Sequence, residues 1–501
     1  MRRCIILSLL FMSSTTWIHS QSITFPPDKN ISTSDLLPLI VGQEVKGYYS
    51  FKFARETKDK KNEYNLLIMD INFKITRDAY LTINNKVWFF RETFNGDQFC
   101  FTFANENAGV IEYYICDMEG KLVKLIHMED VKKTHIYPTY MDNVYPVAHK
   151  GFFRDGINPK QEEYLEMIGM DGRSLWKIHP KEVLINGKNK GTEELSFYYA
   201  DENYLVLNVD IPKLDEDDLK KQSDHFLRAV DLQTGKQTFV VDKRHAKGFL
   251  VPMGVQADHD QITFFGQFFA NDGSKQGYNE KENLGLYTMT YDATGKLLQE
   301  HFNTWKDDVS KFLKLNEQDQ VDGNRNIWIQ DIVGTASGKT FAIAEMYHRG
   351  FSNIAFSSGY AFVRDLLVFE FDADFKLTAV DRFEKYKSSY QLANIGFLSD
   401  YTIGEALDPS SFDYKFTSQA ADRSVFNCVY DNFDKSDKSD KKFVIGAVGF
   451  NRDQELVNPK ITLTTNPDDI KVLSAKPGYV AVIEYFKKDK YATLTLYKFD
   501  F

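Results

Sequence analysis

The sequence predicts an all-β protein, a single β-propeller of eight, or alternatively seven, four-stranded blades. Two observations support this prediction. Aromatic residues make up 15% of the chain, which favours strands. One hairpin signature also recurs along the chain: a strand ends in Asp, a tight turn follows, and a Lys or Arg precedes the next strand. Propeller blades are repeated antiparallel hairpins of this kind.

The signature has six clear copies and two looser ones. Ordinary blades take about 40 to 50 residues, and the wider spacing here predicts insertions in several blades. Each copy is interpreted as the third strand of a blade and its tight turn as the start of the fourth. The predicted third strands end near Asp70, Asp117, Asp171, Asp231, Asp292, Asp372, Phe450 and Phe499.

The last of these units predicts how the ring closes. Beyond Phe499 the chain has too few residues for a fourth strand, so the segment near Ile23 to Phe25 must complete the blade or leave an exposed edge. Seven blades remain the alternative if the weak unit around Phe412 to Phe450 is not a full blade.

The first twenty residues have the order of a secretory signal peptide. Arg2 and Arg3 precede the apolar run Cys4 to Met12, and a polar stretch follows to Ser20. The apolar run is shorter than the about 20 residues that span a bilayer. We therefore predict a signal peptide over 1–20 and a propeller domain over 21–501. The protein is expected to be exported, periplasmic or extracellular, without a transmembrane helix, and monomeric.

The net charge and the motifs of the chain limit the partners and cofactors that we expect. A net charge of -10 opposes the phosphate backbone, whose neutralisation by Lys and Arg dominates nucleic-acid affinity, so a nucleic-acid role is excluded. The segment Gly334 to Thr340 lacks the glycine spacing of a phosphate-binding loop. Asp258 to Asp260 has no His or Cys partner at metal-ligand spacing. The sequence predicts no cofactor and no metal.

The export signal, the start Gln21 to Phe25 and the strand-Asp-x-x-Gly-Lys-strand units together resemble the uncharacterised exported propeller-like proteins of Bacteroidota. The resemblance covers nearly all of the chain after residue 20. It implies a propeller fold, and it brings no shared set of catalytic residues that could be carried over to this sequence.

The insertions fall in the loops between second and third strands, at the end of the ring opposite the tight turns. Binding residues are often carried by variable loops on a rigid scaffold, so this elaborated face is the predicted functional one. The insertion Arg349 to Arg364 and the residue before it combine aromatic and polar side chains that suit a ligand mouth, and local packing of the loop is the alternative. The ligand-binding candidates are His348, Arg349, Phe351, Phe356 and Tyr360.

Cys100 and Cys116 flank a predicted turn over Asn105 to Gly109. A hairpin centred there would place them opposite each other, and an exported protein can keep a disulfide. A cross-strand bridge is therefore predicted, with two reduced core cysteines as the alternative.

The predicted function is an exported binding or scaffold protein that uses the elaborated face for a ligand or protein partner, without catalysis. A glycan- or peptide-directed hydrolase or lyase with a funnel active site is the alternative. A second alternative is an outer-membrane β-barrel, because Tyr497, Phe499 and Phe501 alternate as in a terminal barrel strand. Strands that are apolar on consecutive residues, such as Leu66 to Met69, favour blades buried on both faces.

Overall fold

A computed structural model describes residues 21–25, 35–42, 44–105, 107–129, 144–157, 163–201, 203–211, 214, 224–258, 260–271, 278–316, 321, 326–351, 358–393, 412–434, 442–451, 454–463, 465 and 467–501. About 70% of the structure is strand and 1% is helix, and the strands form an eight-bladed β-propeller of small antiparallel sheets.

The first half of the ring contains the N-terminal strand and four blades of four strands. The strands are β1 (Gln21–Phe25); blade one, β2 (Leu36–Val41), β3 (Glu44–Glu56), β4 (Asn62–Asp70) and β5 (Ile75–Ile83); blade two, β6 (Trp88–Phe94), β7 (Gln98–Asn105), β8 (Val110–Asp117) and β9 (Leu122–Met128); blade three, β10 (Val144–Val147), β11 (Gly151–Ile157), β12 (Glu163–Gly169) and β13 (Ser174–Ile178); a separate hairpin, β14 (Glu182–Ile185) and β15 (Lys188–Thr192); and blade four, β16 (Glu194–Ala200), β17 (Tyr204–Asp210), β18 (His225–Asp231) and β19 (Gln237–Asp242).

The second half adds short extra strands to three blades and a 3-10 helix over Val309–Lys311. The strands are blade five, β20 (Arg244–His245), β21 (Gly248–Asp258), β22 (Gln261–Asn271), β23 (Tyr278–Asp292) and β24 (Leu297–Thr304); blade six, β25 (Asn326–Gly334), β26 (Thr340–Phe351), β27 (Ser358–Phe371), β28 (Leu377–Phe383) and β29 (Ser388–Ala393); blade seven, β30 (Tyr414–Gln419), β31 (Phe426–Asp434), β32 (Lys442–Phe450), β33 (Leu456–Val457) and β34 (Lys460–Thr462); and blade eight, β35 (Asp469–Leu473), β36 (Tyr479–Phe486), β37 (Tyr491–Lys498) and β1.

The tight turns of the hairpin signature are built by the Asp side chain. In blade one the carboxylate of Asp70 accepts the backbone N–H groups of Asn72 and Lys74 at 2.8 and 2.9 Å, the local capping that makes Asp a turn residue. Asp117, Asp292 and Asp372 accept the N–H of their own Lys in the same way. The predicted ends of the third strands are confirmed in all eight blades, each within two residues of the predicted position.

Ring closure is also confirmed. Strand β1 pairs antiparallel with β37, with Ile23 opposite Leu494 and Phe25 opposite Ala492, and it is the fourth strand of blade eight. The chain around Phe412 to Phe450 forms blade seven. The described residues therefore form eight blades, and the seven-blade alternative is wrong.

The core lies between neighbouring blades. The ring of Phe51 in blade one stacks on that of Phe101 in blade two with centroids 3.7 Å apart, and both side chains are buried. Because a blade is covered on both sides, its middle strands are apolar on consecutive residues, as in β7, where all but the last residue are buried. The strands of the described chain form separate sheets, so the alternative of one continuous sheet closing on itself is wrong.

The predicted disulfide is contradicted by the strand register. Strands β7 and β8 do form a hairpin, but Cys100 lies opposite Ile115 and Cys116 lies opposite Phe99. This one-residue offset sends the two side chains to opposite faces of the sheet. The thiol of Cys116 packs toward blade one and that of Cys100 toward blade three. Both are free and buried.

No helix in the described part of the chain is both long enough and apolar enough to cross a membrane.

Candidate functional site

Two neighbouring cavities lie around the axis of the ring. They measure about 670 and 450 Å³ and share lining residues. Their walls are mainly the first strands of blades one to seven and the turns that lead into the second strands. The cavities therefore open at the end of the ring that carries the tight Asp turns. The residues that line both are Val41, Gly42, Ala148 and Ala200.

The first strands of five blades are bent by β-bulges beside the cavities. In five blades the pairing of first and second strands skips one residue of the first strand. Such a bulge bends the strand and re-aims the side chains beside it. The second strand of each of these blades is paired without a skipped residue. The bulges therefore shape the channel and leave the sheets behind it regular. The skipped residues are Phe90, Tyr198, Met253, Gln330 and Lys415.

The larger cavity joins blades four and seven. The carboxylate of Asp201 is held by the backbone N–H groups of Asn203 and Tyr204, each at 2.7 Å. Burial raises the pKa of Tyr199, Asp201 raises it further, and Arg423 of blade seven lowers it. The charge of Arg423 therefore acts on the phenol of Tyr199 across the cavity, which Asp201 also lines.

Amide side chains complete the wall of the larger cavity. Gln419 of blade seven donates its side-chain N–H to the carbonyl of Gly334 at 2.7 Å. Gln256 of blade five lies directly over Gly334, where a Cβ would stand 2.0 Å from the Gln256 side-chain nitrogen. A Cβ at this position would displace the Gln256 amide, so Gly334 leaves room for it, and the Gly334 carbonyl accepts from Gln419.

The smaller cavity is lined by a half-buried carboxylate, that of Glu92, on which a lysine acts. Burial raises the pKa of Glu92, while Lys471 lowers it. Burial lowers the pKa of Lys471, and Glu92 raises it. In each residue burial dominates, so the pair is shifted toward the neutral acid and the neutral amine. Lys471 belongs to blade eight, and it donates to the carbonyl of Leu36 at 3.3 Å.

The predicted ligand-binding residues lie elsewhere. His348 on β26 and Tyr360 on β27 both contact the ring of Phe362, at centroid distances of 5.1 and 6.3 Å. Arg349 and Phe351 also lie on β26, and Phe356 lies outside the described residues. Much of the predicted loop is therefore a strand hairpin, extended by β29 on β27. It projects from the end of the ring opposite the cavities, and its role as a ligand mouth stays a prediction.

The channel residues could not be identified from the sequence. Their strands carry no signature, because the Asp turn marks the third strand of each blade and the channel is lined by the first. Among the residues that the structure describes, no three His, Cys, Asp or Glu side chains are grouped so as to hold a metal ion. The channel instead offers hydrogen-bond donors, acceptors and ionisable groups.

A family model described as "Family of unknown function (DUF6770)" matches residues 1–500. None of the curated proteins matches the chain. Solved structures are similar at low identity: a europium-containing methanol dehydrogenase (11% identity, 91% of this chain and 84% of that one, TM-score 0.37), KlAtg21 in complex with the coiled coil of AgAtg16 (12%, 80% and 96%, 0.35) and the polysaccharide lyase Uly1 (10%, 82% and 89%, 0.31). At these TM-scores the similarities carry no argument about function.

Proposed function

This chain belongs to the DUF6770 family of unknown function, and we propose that it is an exported binding protein that holds a small polar ligand in its central channel. The observation that supports the proposal is the pair of neighbouring cavities at the end of the ring that carries the tight Asp turns. The larger one, at about 670 Å³, has the size of a small-molecule site. This proposal moves the binding site from the elaborated face to the opposite end of the propeller.

The lining indicates the class of ligand. Gln256 and Gln419 offer both donors and acceptors, Asp201 accepts, and Arg423 is suited to a carboxylate, which a guanidinium binds through two parallel hydrogen bonds. Tyr199 adds an aromatic face with a hydroxyl. A ligand rich in hydroxyl groups and carrying one carboxylate, such as an acidic sugar, matches this set.

The proposal is tested by direct binding measurements. A panel of neutral and acidic mono- and oligosaccharides is screened by thermal shift, and hits are quantified by calorimetry. Arg423→Ala is expected to weaken binding of an acidic ligand by roughly tenfold or more, about 1.4 kcal/mol. Arg173→Ala is the matched control, because Arg173 is an exposed arginine in the tight turn of blade three.

The outcomes separate clearly. Tenfold weaker binding in Arg423→Ala with unchanged binding in Arg173→Ala supports the channel site. Equal affinity in both variants contradicts it, as does a panel in which no acidic or neutral sugar shifts the melting temperature of the parent protein.

Catalysis at the same channel is the second candidate, and the Glu92–Lys471 pair favours it. Burial raises the pKa of Glu92 and lowers that of Lys471, and these are the directions that suit a general acid and a general base. A hydrolase or lyase acting on a glycan or peptide would use such a pair. Turnover that is lost in Glu92→Gln, with ligand affinity and melting temperature retained, would identify an enzyme; binding without turnover in the parent protein supports the binding role alone.

A further inference from the structure

A lysine lies fully buried between blades six and seven, in contact with two carboxylates. Lys385 belongs to the link between β28 and β29. Its Nζ atom contacts the carboxylate of Glu345 on β26 and lies 3.0 Å from Oδ2 of Asp413, the residue before β30. All three side chains are removed from solvent. The ring of Tyr430 lies beside the ammonium, 5.3 Å from its nitrogen.

The two oxygens of Asp413 are held differently. Oδ1 accepts the hydroxyl of Tyr390 at 2.8 Å. Oδ2 accepts Lys385 Nζ and also the side-chain amide of Asn432 at 2.9 Å. One oxygen is therefore fixed by a neutral donor away from the lysine, and the other is placed between the lysine and an amide that can donate to it.

Glu345 is fixed on the other side of the lysine. Its Oε2 accepts the side-chain amide of Gln330 at 3.0 Å and the backbone N–H of Tyr414 at 3.1 Å, which leaves Oε1 directed at Lys385. Burial raises the pKa of Glu345, and Lys385 lowers it. A carboxyl group held in this way can pass protons to and from the lysine nitrogen.

We propose that Lys385 and Asp413 condense to an intramolecular isopeptide bond, with Glu345 as the proton shuttle. The ammonium of Lys385 gives one proton to the carboxylate of Asp413 through Glu345. The free amine then attacks Cγ of Asp413, while Tyr390 donates to the oxygen that becomes the carbonyl. Glu345 moves a second proton from nitrogen to the leaving oxygen, the Cγ–Oδ2 bond breaks, and water departs. Ammonium and carboxylate thus become amide and water, and no oxidant or co-reactant is needed.

The surroundings favour the product over the ion pair. An ammonium and a carboxylate kept in a site without solvent are costly, because both charges have lost their hydration. Condensation removes one charge of each sign, and the new amide finds its partners in place: Tyr390 for the carbonyl and Glu345 for the N–H. Because the reacting groups are held close together, the activation barrier of the reaction is lowered. The bond would tie blade six to blade seven covalently.

Mass spectrometry of the full chain tests the proposal. The denatured parent protein is expected to be lighter than its sequence by one water, and its tryptic digest to contain a branched peptide that joins Lys385 to Asp413. Lys385→Met and Glu345→Gln are expected to have their full sequence mass, and Lys385→Met to migrate more slowly on a denaturing gel because its chain lacks the closed loop. Asp413→Asn can form the same amide by losing ammonia, so its mass should equal that of the reacted parent.

The result that overturns the proposal is a folded parent protein of full sequence mass that yields separate, unlinked peptides for Lys385 and Asp413. Circular dichroism and thermal melting establish that each variant is folded. If Glu345→Gln does not fold, the peptide map of the parent protein decides the question by itself.

Discussion

Replacing Phe25 by alanine tests how the ring is closed. Phe25 is the buried end of β1, at 4% exposure, and it packs into the core between blades eight and one with Leu494 and Leu36. Truncating a buried phenylalanine to alanine costs about 3 to 5 kcal/mol. Because Phe25 is the only fully buried side chain of the described strand β1, we expect Phe25→Ala to lower the free energy of unfolding by about 3 kcal/mol and to loosen the whole strand.

Urea unfolding followed by tryptophan fluorescence and by circular dichroism measures this effect. Leu184→Ala is the control, since Leu184 is 61% exposed on the separate hairpin and should change stability by no more than about 0.5 kcal/mol. In addition, hydrogen exchange of the β37 backbone should accelerate in Phe25→Ala, because β1 covers its edge. A Phe25→Ala protein whose unfolding midpoint and β37 exchange match those of Leu184→Ala would refute closure by β1.

Three further predictions follow from the same structure. Gly295→Ala places a Cβ 2.1 Å from that of Phe239 at a φ of +85°, whereas Gly187→Ala has open space at a φ of +75°. Gly295→Ala should therefore lower the free energy of unfolding in urea by about 2 kcal/mol more than Gly187→Ala does. Equal losses would contradict the packing of this turn on blade four. Burial raises the pKa of Asp431 to about 6, above the about 3.9 of an unfolded chain, so its stabilisation is complete below about pH 4 and is lost as pH rises through 6. Asp431→Asn should therefore remove about 3 kcal/mol of the pH dependence of the free energy of unfolding across this range. An unchanged pH profile would contradict the raised pKa of Asp431. Burial raises the pKa of the thiols of Cys100, Cys116 and Cys428 to about 12. A thiol reagent should therefore label none of these three cysteines in the folded protein and all three after denaturation. Cysteines that stay unlabelled after denaturation without reductant would instead indicate a disulfide.

Much of the fold could be predicted because its signals are local. An Asp that caps the backbone N–H groups two and four residues later makes a tight turn wherever it stands, as Asp70 does. Apolar residues on consecutive positions then mark a strand covered on both faces. Counting these units gave the blades, and the missing fourth strand after Phe499 located the partner of β37 at Ile23 to Phe25.

The strand register and the set of residues that meet in the channel could not be predicted, because both depend on how distant segments pack together. A single-residue offset between β7 and β8 decides which face Cys100 and Cys116 point to, and the turn sequence does not fix that offset. The channel gathers Tyr199, Gln256 and Arg423 from three blades, and no spacing in the sequence relates them.

The sequence by itself determined the repeated hairpin and the strand that closes the ring, and it limited the ring to eight or seven blades, since these follow from interactions between residues close in the chain or from the count of strands. Only the tertiary structure decided where the cavities open and which charges are buried. Glu345, Lys385 and Asp413 are ordinary surface residue types in the sequence, and they become a desolvated triad because two blades and the link between β28 and β29 close over them.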